Sequence, residues 1–455
     1  MLFEGKKALV VGLARSGKAA ARLLSSRGAI VSVNDAKPED QIGSQADELR
    51  GLGISFVFGG HPAELFLTAN LIVLSPGVPT GLAALQEARN AGVKIISEVE
   101  LAGLMLKGRL IGITGSNGKT TTTTLIAEIM RAAGARVLVG GNIGAPLTGL
   151  VDDSGDDTWT VAELSSFQLE TIETLRANVA VVTNISPDHL DRHDSFDDYV
   201  NAKKRIFMNQ RTEDWAVLNA NDPVVIGMFS GPSRRVLFDS SGVGAAEIYF
   251  KDGGVFTTLL GRDRREVEVI AREDIPLRGL HNVENVMASV AAAACALSLD
   301  RGALPDMREA IKRFAGVEHR IEFVAEIHGV KYYNDSKATN VDSTMKALEA
   351  FDVGVVLILG GKDKGSDYCA LGPLIREKVK QVVLIGAASA KIESQLKGCC
   401  LMTRAGSMAE AVRQSHQAAT TGDTVLLAPA CASFDMFENY EHRGRRFKQE
   451  VMRLK

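Results

Sequence analysis

Aromatic side chains are scarce in this chain, 5% of its 455 residues. Its apolar content comes instead from Ala, Gly, Val and Leu, a mix that suits parallel sheets covered by helices. Long basic runs are missing and the net charge is −3, so no nucleic-acid partner is expected. Cysteines number five, with Cys399 and Cys400 adjacent and no C-x-x-C pair among them. Neither a zinc knuckle nor a disulfide framework is therefore expected. No apolar stretch approaches the roughly 20 residues of a membrane span, and Val290 to Leu299 falls far short of it. The start, Met1 to Lys7, has no signal-peptide h-region and runs straight into a strand-like segment. Repeats and low-complexity stretches are absent as well. A reduced, soluble, cytoplasmic protein is the expectation.

What is present begins with Leu110 to Thr120. Here an apolar run feeds a turn punctuated by Gly115 and Gly118, then Lys119, then hydroxyls. Phosphate asks for this order, because glycines let backbone N–H groups turn toward an anion and the following helix aims its positive end at the same point. Lys119 can reach the outer phosphates of a nucleoside triphosphate, and Thr120 can ligate the Mg²⁺ that travels with them. Leu125, Ile126, Ile129 and Met130 then recur at helical spacing until Gly134 closes the run. One departure is visible: Ile113 stands where a G-x-x-x-x-G-K-[ST] loop has its first glycine.

With 45% hydrophobic residues the chain can build several cores, and its length suggests about three domains. An α/β fold is expected: a Rossmann-like domain over 1–98, a central P-loop-type ATP-binding domain with a mostly parallel sheet over 99–316, and a second Rossmann-like domain over 317–455. In the first segment Lys7 to Val11 reads as a strand, Gly12 to Gly17 as a turn, Lys18 to Ser26 as a helix, and Ile30 to Val33 as a strand ending at Asn34-Asp35. This imitates a dinucleotide fingerprint, with an acid placed for a ribose hydroxyl. Ala14 stands where the second glycine belongs, which favours a nucleotide or sugar nucleotide over NAD. Leu71 to Leu74 runs into a second such loop, Ser75 to Val78.

In the central segment further strands end in polar residues: Val137 to Val139 before Asn142, Trp159 to Ala162 before Glu163, Val179 to Val182 before Thr183 and Asp188 to His193. Open α/β sheets bind ligands outside these carboxyl ends. Thr120, Glu163 and His189 are thus candidate ligands for Mg²⁺ or Mn²⁺, Glu163 standing where a Walker-B acid would. His189 and His193 are four apart, but Pro187 and the clustered acids argue for a loop and against a zinc pair. Ser195 to Phe207 reads as a helix capped by Ser195. Its Lys203 and Lys204 are open to two readings, a solvated basic face or a lysine aimed at the metal site. Asn282 and Asn285 share a face of an alanine-rich helix, where Asn282 either caps the helix or offers an amide edge to a nucleobase. Ser240 to Gly244 and Gly261 to Glu268 read as a surface hairpin region. In the third segment, strands at Val330 to Tyr333, Val355 to Leu359, Val382 to Ile385 and Thr424 to Leu427 bring Asp335, Lys337, Thr339, Lys364 and Ser433 to strand ends. Such cations and hydroxyls fit a small acidic substrate beside phosphate oxygens.

Together these motifs resemble the Mur ligase family. Thr114 to Thr120 is similar to its T-G-[ST]-N-G-K-T loop, and Glu163 to Leu169 to its E-x-S-S-[FY]-Q-L stretch. Asp188-His189-Leu190-Asp191, His281-Asn282 to Asn285 and Glu318-His319-Arg320 match in order, and Asn334 to Asn340 is similar to the branch that adds D-glutamate. The resemblance spans essentially the whole chain. It implies a monomeric ligase in cytoplasmic peptidoglycan precursor synthesis. There ATP phosphorylates the carboxylate of UDP-N-acetylmuramoyl-L-alanine, and the amine of D-glutamate attacks the acyl phosphate. It implies that Gly12, Leu13, Ala14, Arg15 and Asp35 hold the uridine end, with Ser75, Pro76, Gly77, Val78, Asn142 and His189 along the diphosphate and sugar. ATP would meet Gly115, Ser116, Asn117, Gly118, Lys119, Thr120, Thr121, Asn282, Asn285, Arg320, Asp335 and Lys337. D-glutamate would meet Thr339, Lys364, Ser433, Phe434 and Tyr440. Lys119, Glu163, His189 and Lys203 would be catalytic, with Thr120, Glu163 and His189 on the metal. The family's carbamylated lysine falls on Lys203 by the A-K-x-R-I spacing, and as a carbamate it too would face the metal. The alternatives are a folylpolyglutamate-synthase-like ligase, an NTP-driven switch protein and an NAD oxidoreductase. The first is opposed by the uridine-type first segment, the second by the lack of an N-K-x-D motif, and the third by Ala14 and the central phosphate loop.

Overall fold

A computed structural model describes residues 3–188, 192–242, 246–261 and 263–454. In its first sheet, successive side chains of each strand go to opposite faces, and both faces are covered. Ala8, Val10, Val31, Val33 and Val73 pack on one side, and Leu9, Val11, Ile72 and Leu74 on the other. Double coverage is the reason Lys7–Val11 and Leu71–Leu74 read as unbroken apolar runs. The sheet is parallel throughout, in spatial order Ser55–Phe58, Ile30–Asp35, Lys7–Val11, Leu71–Leu74, Lys94–Ser97. The chain starts in the middle strand, winds outward one way and returns on the other side. The loops after Lys7–Val11 and Leu71–Leu74 therefore flank a switch point, the crevice where such sheets take ligands.

The second sheet runs in parallel from Arg136–Gly141 through Thr158–Glu163, Arg109–Thr114, Val179–Val182, Trp215–Asn219 and Arg234–Asp239 to Ile248–Lys251. An antiparallel hairpin, Ile248–Lys251 with Gly254–Thr257, and the strand Val267–Ala271 complete that edge. The expected surface hairpin thus lies between Ser240 and Glu268; residues 243–245 and 262 are outside the described ones.

The third sheet opens with the antiparallel pair Glu322–Ile327 and Val330–Asn334. It continues in parallel through Thr424–Leu427, Val355–Gly360, Val379–Ile385 and Leu401–Ala405. Val355, Leu357 and Leu359 face one core, Val356 and Ile358 the other.

By contact density the chain falls into two compact units, Met1–Val269 with Asn285–Ile311, and Ile270–Glu284 with Lys312–Lys455. The first sheet and the second, all but its last residues Ile270 and Ala271, belong to the former. No helix among the described residues is long and apolar enough to cross a membrane.

Two element boundaries differ from expectation. The first helix begins at Arg15 rather than Lys18, because the extended backbone of Ala14 already serves as its N-cap. Gly17 therefore sits inside the helix, where a Cβ would stand 1.8 Å from the oxygen of Gly12. The helix capped by Ser195 ends at Lys204 and tightens into a 3₁₀ turn, Arg205–Phe207.

Candidate active site

The strand Arg109–Thr114 delivers the chain to the loop 115–118, and the helix Lys119–Ala132 leaves from it. Ile113 is still a strand residue, paired with Val181 and Glu163, so the backbone turns later than a loop beginning at 113 would. The turn is made at Gly115 (φ 140°) and Gly118 (φ 82°). A Cβ at 115 would lie 2.0 Å from Thr183 Oγ1, and one at 118 would lie 2.3 Å from Asn285 Oδ1. Glycine is required at both for conformation and for space.

The loop is held from the outside. Thr183 Oγ1 donates to the oxygen of Asn117 (2.6 Å), Asn184 Oδ1 accepts from Asn117 N (2.9 Å), and Asn184 O accepts from Ser116 N (2.7 Å). Ser116 Oγ donates to Ser186 O and accepts from Ser186 N, each at 2.9 Å. Its donor is then used, so Tyr199 Oη, also 2.9 Å away, must donate to it. The sequence placed Thr183 and Asn184 at a strand end. Their grip on the loop, and that of Tyr199, has no signal in local spacing.

Two lysines converge on this turn. Lys119 Nζ donates to the oxygens of Gly115 and Ser116, both at 2.8 Å. Lys203 Nζ donates to the same Gly115 oxygen (2.8 Å) and lies 4.7 Å from the centre of the Tyr199 ring. Lys203 is only 2% exposed, which removes the solvated-face reading for it. Burial first, and then the charge of Lys119, push its pKa well below the usual lysine range, against the pull of Asp188 and Glu163.

Glu163, buried at the end of its strand, accepts from Thr120 Oγ1 at 2.6 Å and from Asn142 Nδ2 at 2.7 Å. A carboxylate and a hydroxyl beside a phosphate-type loop form a hard-oxygen pair suited to Mg²⁺ or Mn²⁺. His189 lies outside the described residues. His193 is a packed side chain, stacked on Phe167 and bonded through Nε2 to Ser166 Oγ at 2.9 Å, which removes it from a metal pair.

Still within the first unit, a cavity of about 550 Å³ brings together Gly12, Leu13, Ala14, Arg15, Asp35, Ser75, Pro76, Gly77, Val78 and Asn142. Asp35 clamps its floor, accepting from Leu13 N (2.8 Å) and Lys37 N (3.0 Å). Ser75 Oγ donates to Gly12 O at 2.8 Å. Lys37, His61 and Pro146, which went unnoticed in the sequence, also line the cavity, as does Gln168 of the Glu163 to Leu169 stretch. Asn285, whose Oδ1 accepts from Thr122 Oγ1 at 3.2 Å, is packed against the loop helix.

In the second unit the loops after three neighbouring strands are stitched together. Ala430 N donates to Ala338 O (2.9 Å), Gly360 N to Pro429 O (2.9 Å), and Lys362 N to Ala432 O (2.8 Å). Asp335 is buried, and loss of hydration raises its pKa to about 7 despite Arg320 and Arg443. Lys337 Nζ sits 3.9 Å over the Tyr440 ring. Ser433 is buried, while Lys364 and the 68%-exposed Phe434 face outward. Asn282 does not cap its helix, because the helix begins at Leu280; its Nδ2 donates to Arg278 O at 2.7 Å. Arg443, fully buried, donates from Nε to Ser336 Oγ (3.0 Å), from Nη1 to Cys431 O (3.0 Å) and from Nη2 to Ser336 O (2.8 Å). It ties two of the stitched loops to the last helix, and the sequence hid it among basic neighbours.

Residues 6–97 match the family description "Mur ligase MurD-like, N-terminal domain", residues 113–293 "Mur ligase middle domain" and residues 319–431 "Mur ligase, glutamate ligase domain". A UDP-N-acetylmuramoylalanine–D-glutamate ligase of Koribacter versatilis is 47% identical over 99% of this chain and 98% of its own length. The enzyme of the same name from Acidobacterium capsulatum is 49% identical over 99% and 97%. Among solved structures, UDP-N-acetylmuramate-alanine ligase MurC from Thermotoga maritima superposes with a TM-score of 0.62 at 21% identity, covering 99% of this chain and all of that one, a likeness of fold.

Proposed function

Because the chain belongs to the Mur ligase family, we propose that it joins D-glutamate to UDP-N-acetylmuramoyl-L-alanine with cleavage of ATP to ADP and phosphate. The setting is cytoplasmic peptidoglycan precursor synthesis. The observation that carries this reading is the 47% and 49% identity, end to end, to relatives bearing that activity in their names. The phosphate-type loop with Lys119, Thr120 and Glu163 at its mouth supports the ATP half of it.

A carboxylate is a poor electrophile toward an amine. Transfer of the γ-phosphoryl group to one carboxylate oxygen breaks the bond to ADP and creates a good leaving group. The D-glutamate amine then adds to the carbonyl carbon, loses a proton, and the tetrahedral intermediate expels phosphate with the former carboxylate oxygen. In this scheme Gly115 to Thr121 wrap the phosphates with backbone N–H groups, and Lys119 spreads the charge of the transferring group. Thr120, Glu163 and His189 would hold Mg²⁺ or Mn²⁺, which when bound neutralises charge on phosphate oxygens. Lys203, favoured as the neutral amine, is suited to take up CO₂ as a carbamate, releasing a proton and becoming an anion where an ammonium would repel the cations.

We assign the cavity at Gly12, Asp35, Ser75 and Asn142 to the UDP-linked substrate, and the domain over 1–98 to its binding. Asn282, Asn285, Arg320, Asp335 and Lys337 are assigned to ATP. Thr339, Lys364, Ser433, Phe434 and Tyr440 are assigned to D-glutamate, whose two carboxylates call for the cation and hydroxyls among them. Phosphate release from ATP with UDP-N-acetylmuramoyl-L-alanine tests the assignment. Release is expected with D-glutamate and not with L-glutamate or without amino acid. Release with the L isomer, or turnover of a pterin conjugate instead, would overturn it.

A further inference from the structure

Three of the five cysteines, Cys369, Cys399 and Cys400, fall in the second unit outside the site described above. Cys369 is exposed and Cys399 half-buried. Cys369 belongs to the 3₁₀ turn Tyr368–Leu371, which runs straight into the helix Gly372–Lys378. Its backbone is fixed there, because Asp367 Oδ1 accepts from Cys369 N at 3.0 Å. The turn is docked on the end of a second helix, Ser389–Gln395: Tyr368 N donates to Gln395 Oε1 (2.9 Å), and Cys369 Sγ lies 3.9 Å from Gln395 O. From that helix the chain turns back at once, with Cys399 N donating to Leu396 O at 3.0 Å. This brings the Cys399 sulfur onto the first segment, where a Cβ at Gly372 would lie 3.5 Å from it. Cys369 and Gly372 are three apart, so they share a face, with Cβ positions about 5–6 Å from each other. Both sulfurs thus stand on one face of the segment. Arg376, one turn further along, donates from Nη1 to Cys399 Sγ at 3.2 Å.

An N–H given to sulfur by a guanidinium supports the negative charge with which a thiol attacks. Cys369 is placed differently. Its hydrogen bond to Asp367, then burial and the charges of Asp367 and Cys399, hold its thiol above the usual range, so the two cysteines lie within each other's field. The remaining thiols are withdrawn: burial pushes Cys295 up to about 12, and Cys400 and Cys431 up to about 11. Cys400 is in addition no partner for Cys399, since adjacent Cα atoms about 3.8 Å apart fall short of the roughly 4.4–6.8 Å that a disulfide spans. We propose that Cys399 and Cys369 form a modification site for low-molecular-weight disulfides, Cys399 attacking and Cys369 resolving. The Cys399 sulfur, its proton released, bonds to one sulfur of the small disulfide; that S–S bond breaks, and a first small thiol leaves with a proton. The Cys369 sulfur then bonds to that of Cys399, the mixed disulfide breaks, and a second small thiol leaves with the proton of Cys369. Two protein thiols are oxidised and one small disulfide is reduced to two thiols. Transient bonds of this kind are the usual disulfides of reducing compartments. The site shares no residue with the proposed ligase chemistry and stands or falls independently of it.

Incubation of the full chain with excess glutathione disulfide tests it, using wild type, Cys369→Ser and Cys399→Ser. Free thiols are alkylated at the end, and intact mass and peptide mapping locate every bond. Wild type is expected to lose two of its five thiols and the mass of two hydrogen atoms, to yield one cross-linked peptide pair holding Cys369 and Cys399, and to regain both thiols in dithiothreitol. Cys369→Ser is expected to stop at one glutathione on Cys399, and Cys399→Ser to form no cross-link. A cross-link between any other pair, or between two chains, would overturn the proposal. So would a wild type that keeps all its thiols, or one that accumulates glutathione adducts without a cross-link. If neither variant folds, the peptide map of wild type alone decides.

Discussion

Two buried titratable side chains are given roles in the proposed scheme, one in each unit. Lys203 has its Nζ against the Gly115 oxygen and the Tyr199 ring, with only 2% of the residue exposed. If it works as a carbamate, Lys203→Ala should lower turnover by on the order of 10²–10³. A small carboxylate such as formate should restore part of it, and full activity of the variant without additive would reject the role. Asp335 makes a pH-dependent contribution of the opposite kind. Its pKa is raised to about 7 by burial, above the unfolded value of 3.8, so folding favours its protonated form. Its stabilising contribution is complete below the unfolded value and is lost as pH rises through about 7. Asp335→Asn keeps the shape without the charge. The melting temperature of the variant minus that of wild type should therefore grow between about pH 5 and pH 8. A difference that stays flat or shrinks would show that Asp335 is ionised in the folded chain at no cost.

Among the elements, the loop 115–118 is built to tolerances that admit only glycine at two positions. Gly118→Ala adds a left-handed strain of about 1–2 kcal/mol and drives a Cβ to 2.3 Å from Asn285 Oδ1. Urea unfolding should register a loss of about that size or more, and the KM for ATP should rise; an unchanged KM would mean the loop does not need its present shape. This loop was legible in the sequence because its physics is local: glycines, a lysine and hydroxyls at fixed offsets between an apolar run and a helical period. So were the strands at Lys7–Val11, Val179–Val182 and Thr424–Leu427, whose apolar runs reflect burial on both faces. The supports of the loop were not legible. Asn184 reaches Asn117 across 67 residues and Tyr199 reaches Ser116 across 83, distances over which no periodicity operates. Arg443 stands among basic neighbours in the sequence, and only the tertiary structure shows the carbonyl and hydroxyl partners around its guanidinium. The helix start at Arg15 was misplaced by three residues because an alanine N-cap carries no side-chain signature.

At the scale of the molecule, three sheets each bring loops to the carboxyl ends of parallel strands, and each sheet receives a different share of one reaction in the proposed scheme. Glu100 shows how the first two are joined within their unit: its carboxylate accepts from the backbone nitrogens of Glu173 (3.0 Å), Thr174 (2.8 Å) and Leu175 (3.0 Å), fixing the segment after the first sheet to the central one. The account depends on activation of a carboxyl group by phosphoryl transfer at the loop that carries Lys119. Its most direct test labels the L-alanyl carboxylate of UDP-N-acetylmuramoyl-L-alanine with ¹⁸O and follows the label through a turnover with ATP and D-glutamate. An acyl phosphate predicts one ¹⁸O atom in each molecule of phosphate released, and phosphate free of label would contradict it.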